Sequence, residues 1–279
     1  MTATVNSPAV LASRPPVVVP ASAPPLGLGT AVRHALVMAS RNLRKLRGDP
    51  GQLLDATVMP IVFTLAFVYV FGGAIAGDTG SYIEYFMPGI MALTVTIVSR
   101  TTGVGLAVDF GTGIVDRFRS LPVARSAVLA GRIISDAVRM TIAQFVILAF
   151  AVLIGFRVHT GPLELLAAIG LLVGFGVALS CVSAVIGLTA RSLPTVDTIA
   201  TLWMVPLQFG SSMFVPVETM PGWLQAFVKV NPMTLVVDAC RGLLSGGEVA
   251  GPALGASIWI VGAVAVFGPI AVLRYRVKR

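Results

Sequence analysis

The chain has 279 residues and a net charge of +8; 56% of its residues are hydrophobic and only 11% are charged. A soluble chain normally carries about 25% charged residues, so a water-soluble fold of this composition would expose large apolar patches and aggregate. The positive balance argues poorly for nucleic acid, because the basic residues stand in short clusters between apolar runs and do not gather on one soluble face. Cys181 and Cys240 show no Cys-x-x-Cys or Cys/His spacing, which argues against a disulfide framework and a metal site.

Residues 1–28 contain six prolines and no hydrophobic period, and they read as a disordered cytoplasmic tail. Pro15, Pro16 and Pro20 interrupt the one apolar stretch, so it does not read as a signal peptide. From residue 30 to 47 the character changes. Val32, Leu36, Ala39, Leu43 and Leu46 recur at helical spacing, with Arg33, Arg41, Arg44, Lys45 and Arg47 on the other positions. This basic amphipathic helix is suited to lie in a membrane interface, and Gly48-Asp49-Pro50 ends it.

Six apolar runs follow, at about 53–75, 87–108, 132–155, 163–189, 195–214 and 253–273, each near the roughly 20 residues that cross a bilayer. The stretch 215–244 mixes Trp223, Leu224 and Phe227 with Glu218, Lys229, Asp238 and several prolines. It predicts two short helices that dip into the outer leaflet under a cover of protein. Sixteen Lys and Arg fall on the side of the N-terminus and three, Arg157, Lys229 and Arg241, on the other. That bias predicts both termini inside.

Residues 109–125 join the second and third runs. Ile114, Val115, Phe118 and Leu121 form an apolar face, Asp116, Arg117 and Arg119 a charged edge, and Pro122 a helix stop. An ordinary basic loop needs charge alone. The apolar stripe predicts a docking element for a cytoplasmic subunit. Arg100 stands inside an apolar run, where an unpaired charge costs about 2.5–3.5 kcal/mol at a helix centre. Its candidate partners are Asp109, Asp136 and Asp197, or an anionic group of a substrate. Snorkelling to the inner interface is the alternative. Gln144 and Gln208 are candidates for lining a translocation path, with helix–helix hydrogen bonding as the plainer role. Gly170, Gly174 and Ala178 predict close helix packing, and Pro60, Pro206 and Pro269 predict bends. Leu244-Ser-Gly-Gly-Glu248 imitates an ATPase signature, but the chain has no GxxxxGK[ST] phosphate loop, so the stretch reads as a turn.

The segment with Asp109, Gly111, Thr112, Leu121, Pro122, Arg125 and Ser126 resembles the first cytoplasmic loop of ABC-2 type permeases, the family of daunorubicin-resistance drug exporters and related lipid exporters. A second stretch, with Pro221, Trp223, Asn231, Pro232 and Arg241, resembles the same family's Pro-x-Trp…Asn-Pro…Arg pattern. Many relatives carry Glu where Asp109 stands, one methylene longer. The resemblance runs from about residue 30 to the end. It implies an all-α integral membrane fold with six transmembrane helices, an N-terminal interfacial helix, a cytoplasmic coupling helix and re-entrant extracellular helices. Residues 111–125, Thr112 and Arg125 among them, would then be the coupling helix seated in a groove of an ATPase.

The same resemblance implies two ATPase subunits that hold ATP and Mg, a second permease subunit (a copy or a sister chain), and export as the direction. This chain itself would hold no cofactor. Two competing functions stand beside a drug or lipid exporter. A polysaccharide exporter needs a wide channel rich in aromatic residues, and the three Trp and four Tyr here lie mostly outside the apolar runs. A membrane enzyme acting on lipid headgroups needs paired acids at one interface, and Asp109 and Asp116 are paired only in sequence. No Ser/His/Asp set and no His/Asp/Glu cluster at metal spacing supports catalysis.

Overall fold

The computed structural model describes residues 29, 33, 36–40, 42, 51–112, 125–190 and 192–277, and among them there are helices and no strands. Helix α1 (Gly51–Ala66) continues through a π-helical turn at Phe67–Phe71 into α2 (Gly72–Ala76). Then come α3 (Thr79–Gly111), α4 (Arg125–Leu153), α5 (Pro162–Thr189) and α6 (Leu193–Phe209). A 3-10 turn at Val217–Thr219 precedes α7 (Gly222–Val230), α8 (Pro232–Ser245) and α9 (Ala250–Val277).

Among the described residues, five segments are long and apolar enough to cross a membrane: Ala56–Ile75, Thr79–Gly111, Val128–Leu153, Pro162–Thr189 and Ala250–Tyr275. The run expected at 195–214 differs. Its helix, α6, has 17 residues and stops at Phe209. At 1.5 Å per residue it spans about 25 Å, short of the roughly 30 Å of a bilayer's hydrocarbon core. Gly210 closes it, and residues 210–216 continue without helix. The run expected at 87–108 is longer in the structure, because α3 begins at Thr79. The carboxylate of Asp78 accepts the Ser81 N–H at 2.8 Å and so caps the helix eight residues before the apolar run begins. Glu84 and Tyr85 end the hydropathy signal without ending the helix.

The longest helix, α3, is the axis of the bundle, packed on α1, α2, α4, α5, α6 and α8, while α9 rests on α4, α5 and α8. Glycine sets the closest approach. A Cβ at Gly187 of α5 would overlap the backbone carbonyl of Gly103, and one at Gly103 would overlap that of Ser183. Such contact between small residues is how helices associate where no water drives them together. The stripe Gly170, Gly174 and Ala178 does not provide it. Gly170 faces open space and Gly174 makes only an ordinary contact with Ile260. Small-residue spacing alone does not say which stripe meets a neighbour's backbone.

The two ends of the bundle are distinct. At one end, Tyr82 donates to the Phe214 carbonyl (3.1 Å), Thr160 to that of Leu243 (2.6 Å), and the His159 N–H to that of Leu244 (2.9 Å). An aromatic chain runs through this half. Phe67, on the π turn, lies 5.4 Å from Phe86 and 5.0 Å from Phe214. Gly246 and Gly247, in the ATPase-like stretch, have φ of 84° and 137°, and they form the turn that leads into α9. At the other end the Phe110 ring meets Tyr275 edge-on at 5.5 Å.

Residues 36–40 are helical, and the carbonyl of Ala39 accepts from Ser135 Oγ of α4 at 3.3 Å, so this piece is fastened across α4. Leu36 beside it is exposed. Arg41, Leu43, Arg44, Lys45 and Arg47 lie outside the described residues, as do the prolines of residues 1–28.

The glycine crossing gives a direct test. Gly187→Val forces α3 and α5 apart and is expected to lower stability by about 1–3 kcal/mol, measured as a drop in thermal midpoint in detergent. Gly170→Val, in open space, is expected to leave the midpoint unchanged.

Candidate functional site

Three Arg–Asp pairs lie around the half of α3 that ends at Gly111. Arg100 bonds Asp197 of α6, with its Nε 3.0 Å from Oδ1. Arg132 of α4 bonds Asp109 at 2.9 Å. Arg139 of α4 bonds Asp136 one turn earlier at 3.0 Å, and Thr102 of α3 donates to the same carboxylate at 2.6 Å. Each guanidinium therefore has a carboxylate, as charges in an apolar bundle require. Of the three candidate partners of Arg100, the structure selects Asp197. Asp109 and Asp136 neutralise arginines of their own.

The Arg100–Asp197 pair is unlike the other two, because both side chains are about half exposed, at 42% and 50%. Arg100 of this pair borders a cleft of about 190 Å³ between α1, α3 and α6. Met59 and Phe63 of α1, Leu93 and Ile97 of α3, and Met204 and Gln208 of α6 line it, and Phe214 closes one end. Arg100 lies eleven residues from Gly111, about 16 Å along the axis. The cleft is thus an apolar recess with one ion pair and one amide, deep within the length of the helices.

Of the polar candidates read from the sequence, Arg100 and Gln208 meet at this cleft and Gln144 does not. Gln144 is fully buried in α4, and its amide donates to the Met91 carbonyl of α3 at 2.8 Å. That bond joins two helices.

The Asn-Pro…Arg residues are organised at the other end. Asn231 caps α8 by accepting the Met233 N–H at 2.8 Å. Its amide donates to the carbonyls of Leu207 (2.9 Å) and Gly210 (2.5 Å), which the end of α6 leaves without helical partners. Pro232 starts α8 at a position that needs no N–H donor, and Pro221 precedes α7. Arg241 lies over the Tyr85 ring at 3.9 Å. It donates to the Tyr85 carbonyl (3.3 and 3.2 Å), to the Ser212 carbonyl (3.2 Å) and to Asp238 (2.5 Å). The two residues together clamp α8, α3 and the chain after α6. Trp223 makes no such contact and is exposed.

Of the docking residues, Thr112 closes α3 with its N–H on the Val108 carbonyl (2.9 Å), and Arg125 opens α4. Ile114, Val115, Asp116, Arg117, Phe118, Arg119, Leu121 and Pro122 lie outside the described residues.

Reading the sequence missed Arg132, Arg139 and Thr102 as parts of a polar seam. A signal was present: Arg132, Asp136 and Arg139 are spaced to share one face of a helix. It also missed Tyr85 and Ser212, whose partners are distant in sequence, and Asp238, which pairs with Arg241 one turn on. Among the described residues no group of three or more His, Cys, Asp or Glu is placed to hold a metal ion.

This architecture defines a multi-pass, all-helical membrane protein with paired charges inside its bundle. The chain belongs to the ABC-2 type transporter family, whose model matches residues 33–244. It is 36% identical over 257 residues to the daunorubicin resistance ABC transporter permease protein DrrB1 of Streptomyces coeruleorubidus, covering 89% of this chain and 88% of that one. The probable doxorubicin resistance ABC transporter permease protein DrrC of Mycobacterium tuberculosis is 28% identical over 88% of this chain and 89% of its own length. The putative transport permease ycf38 of Cyanophora paradoxa is 26% identical over 77% of this chain and 75% of its own.

The central pair has a testable energetic signature. Arg100→Leu alone or Asp197→Leu alone strands a charge in an apolar setting, whereas the double substitution removes both. A double-mutant cycle on unfolding is expected to give a coupling of about 0.5–3 kcal/mol, with the double variant more stable than either single one.

Proposed function

We propose that this chain is the membrane-spanning permease subunit of an ATP-driven exporter that moves a hydrophobic drug or lipid-like molecule across the cytoplasmic membrane. The family assignment and the cleft at Arg100 carry the reading. Two ATPase subunits bind ATP with Mg and hydrolyse it, and this chain supplies the path. A second permease, a copy or a sister chain, faces the open side of the cleft, where the half-exposed Arg100–Asp197 pair otherwise meets hydrocarbon. Residues 111–125 dock on the ATPase through Phe118 and Leu121. The tie from Asp109 at the end of α3 to Arg132 of α4 gives that segment a rigid mount. Motion of the mount reaches the cleft along α3, which carries both Asp109 and Arg100.

The charge bias places the Asp109 end of the bundle and both termini in the cytoplasm. α6, with the non-helical residues after it, then makes the sixth crossing. α7 and α8 form a re-entrant pair on the outer side. The Asn231 amide supports this placement, because it satisfies the carbonyls of a helix that ends inside the membrane. Residues 30–47 lie in the inner interface, with Arg41, Arg44, Lys45 and Arg47 toward the headgroups.

The apolar lining favours an amphiphile over a polysaccharide, whose many hydroxyls need polar or aromatic walls. The resistance phenotype in the names of the relatives makes daunorubicin the natural first probe.

Phe118→Asp is expected to insert normally and to lose copurification with the ATPase encoded beside it. Recruitment at the wild-type level would overturn the docking assignment. Topology has its own test. Cysteines placed at Gly222 or Ser245, in a background lacking Cys181 and Cys240, are expected to react with an impermeant thiol reagent in intact cells. Reaction only after lysis would reverse the orientation.

A further inference from the structure

A second cleft, of about 240 Å³, lies between α1, α3 and α4 on the inner half of the bundle. It shares Ile97 with the first and is otherwise separate. One part of its wall is apolar: Ala56 of α1 with Ile97, Val98 and Val104 of α3. The other part is cationic, formed by Arg132 and Arg139 of α4. These two residues are two turns apart on their helix, yet both guanidiniums reach Thr101. Arg132 Nη2 donates to its carbonyl at 3.4 Å, and Arg139 Nη2 to its hydroxyl. Gly105 permits this convergence, because a Cβ there would overlap the Arg132 guanidinium.

Arg132 also has a donor to spare. Its Nε is buried and has no hydrogen-bond partner, while Nη1 holds Asp109. A guanidinium presents five N–H donors in a planar fork that matches phosphate oxygens. A buried donor left unpaired is costly, more so away from water. The depth suits a headgroup. Arg132 stands seven residues into α4, about 10 Å from its start, and its partner Asp109 stands two residues from the end of α3. The volume admits a phosphate with its nearest carbons, not a whole phospholipid. The remaining chain would run along the apolar wall.

We propose that this cleft holds the phosphate of an anionic phospholipid, gripped by Arg132 and Arg139, with the first acyl carbons against Ile97, Val98 and Val104. The occupant is a lipid because half of the wall is hydrocarbon-like and the cleft opens within the apolar length of the helices. A free phosphate would have to leave water to reach it. Asp109 and Asp136 face the same guanidiniums and temper the affinity. The site needs no substrate and no ATPase, so it stands or falls apart from the permease reading.

The test uses the full chain in nanodiscs of phosphatidylcholine, with or without phosphatidylglycerol. The readouts are thermal midpoint and lipid retained in native mass spectrometry. The basic stretch 41–47 attracts anionic lipid in every variant, so the informative comparison is one that removes no charge. Gly105→Leu keeps the number of charges: it fills the cleft and pushes the Arg132 guanidinium aside. Arg132→Gln removes the cation. Retained phosphatidylglycerol is expected to fall roughly tenfold in each variant, as for the loss of a charge-assisted contact, and the midpoint gain over phosphatidylcholine to vanish. Should Arg132→Gln fail to fold, Gly105→Leu decides. Equal retention by wild type and Gly105→Leu overturns the proposal. So does a full midpoint gain from inorganic phosphate added to phosphatidylcholine discs.

Discussion

Three arginines stand around the half of α3 that ends at Gly111, and each must find a carboxylate in an apolar bundle. That constraint organises the bundle. Arg100 reaches sideways to α6, Arg132 of α4 reaches back to Asp109 of α3, and Arg139 is held by Asp136 and Thr101. Each link ties one helix to the same axis. The Gly103–Gly187 crossing adds α5 by direct backbone contact. Breaking one partner of such a pair is strongly destabilising where replacing both is not. The pairs therefore specify which helices meet more than they add to total stability.

The two ends of α3 are treated differently. The Thr79 end is pinned by a broad clamp in which Arg241 and Asn231 satisfy backbone carbonyls around the break after α6. The Gly111 end is tied to α4 by the Arg132–Asp109 ion pair and to α9 by the Phe110–Tyr275 contact, next to the segment proposed to meet the ATPase. On the proposed function, the Gly111 end is the one the ATPase moves, against an opposite end held by the clamp. On this reading the half-exposed Arg100–Asp197 pair, between the two ends, is where that motion reaches the path.

Much of this was legible from residue order. The long helices follow from runs of apolar residues, and the short pair α7 and α8 from prolines and charges that no clean span tolerates. The role of Asn231-Pro232 as a helix start was not drawn from the sequence, where the two residues entered only as a family pattern, although Asn caps and Pro needs no donor. Pairing was less legible. Asp109, Asp136 and Asp197 were equal candidates for Arg100, because sequence spacing does not report which helices are neighbours. The real packing glycines were passed over for Gly170 and Gly174, which have the right spacing on the wrong face. The early stop of α6 was hidden, because Gly210 and the polar residues after it sit among apolar ones.

On the proposed function, substrate passes the cleft between α1, α3 and α6. Thr201 lines that cleft from α6, while Val261 of α9 is exposed on the far side of α5. The decisive measurement is ATP-dependent daunorubicin uptake into inside-out vesicles that hold the permease with its ATPase. Thr201→Trp is predicted to abolish uptake while the complex still assembles, and Val261→Trp to leave uptake intact. Undiminished uptake with Thr201→Trp would contradict the claim.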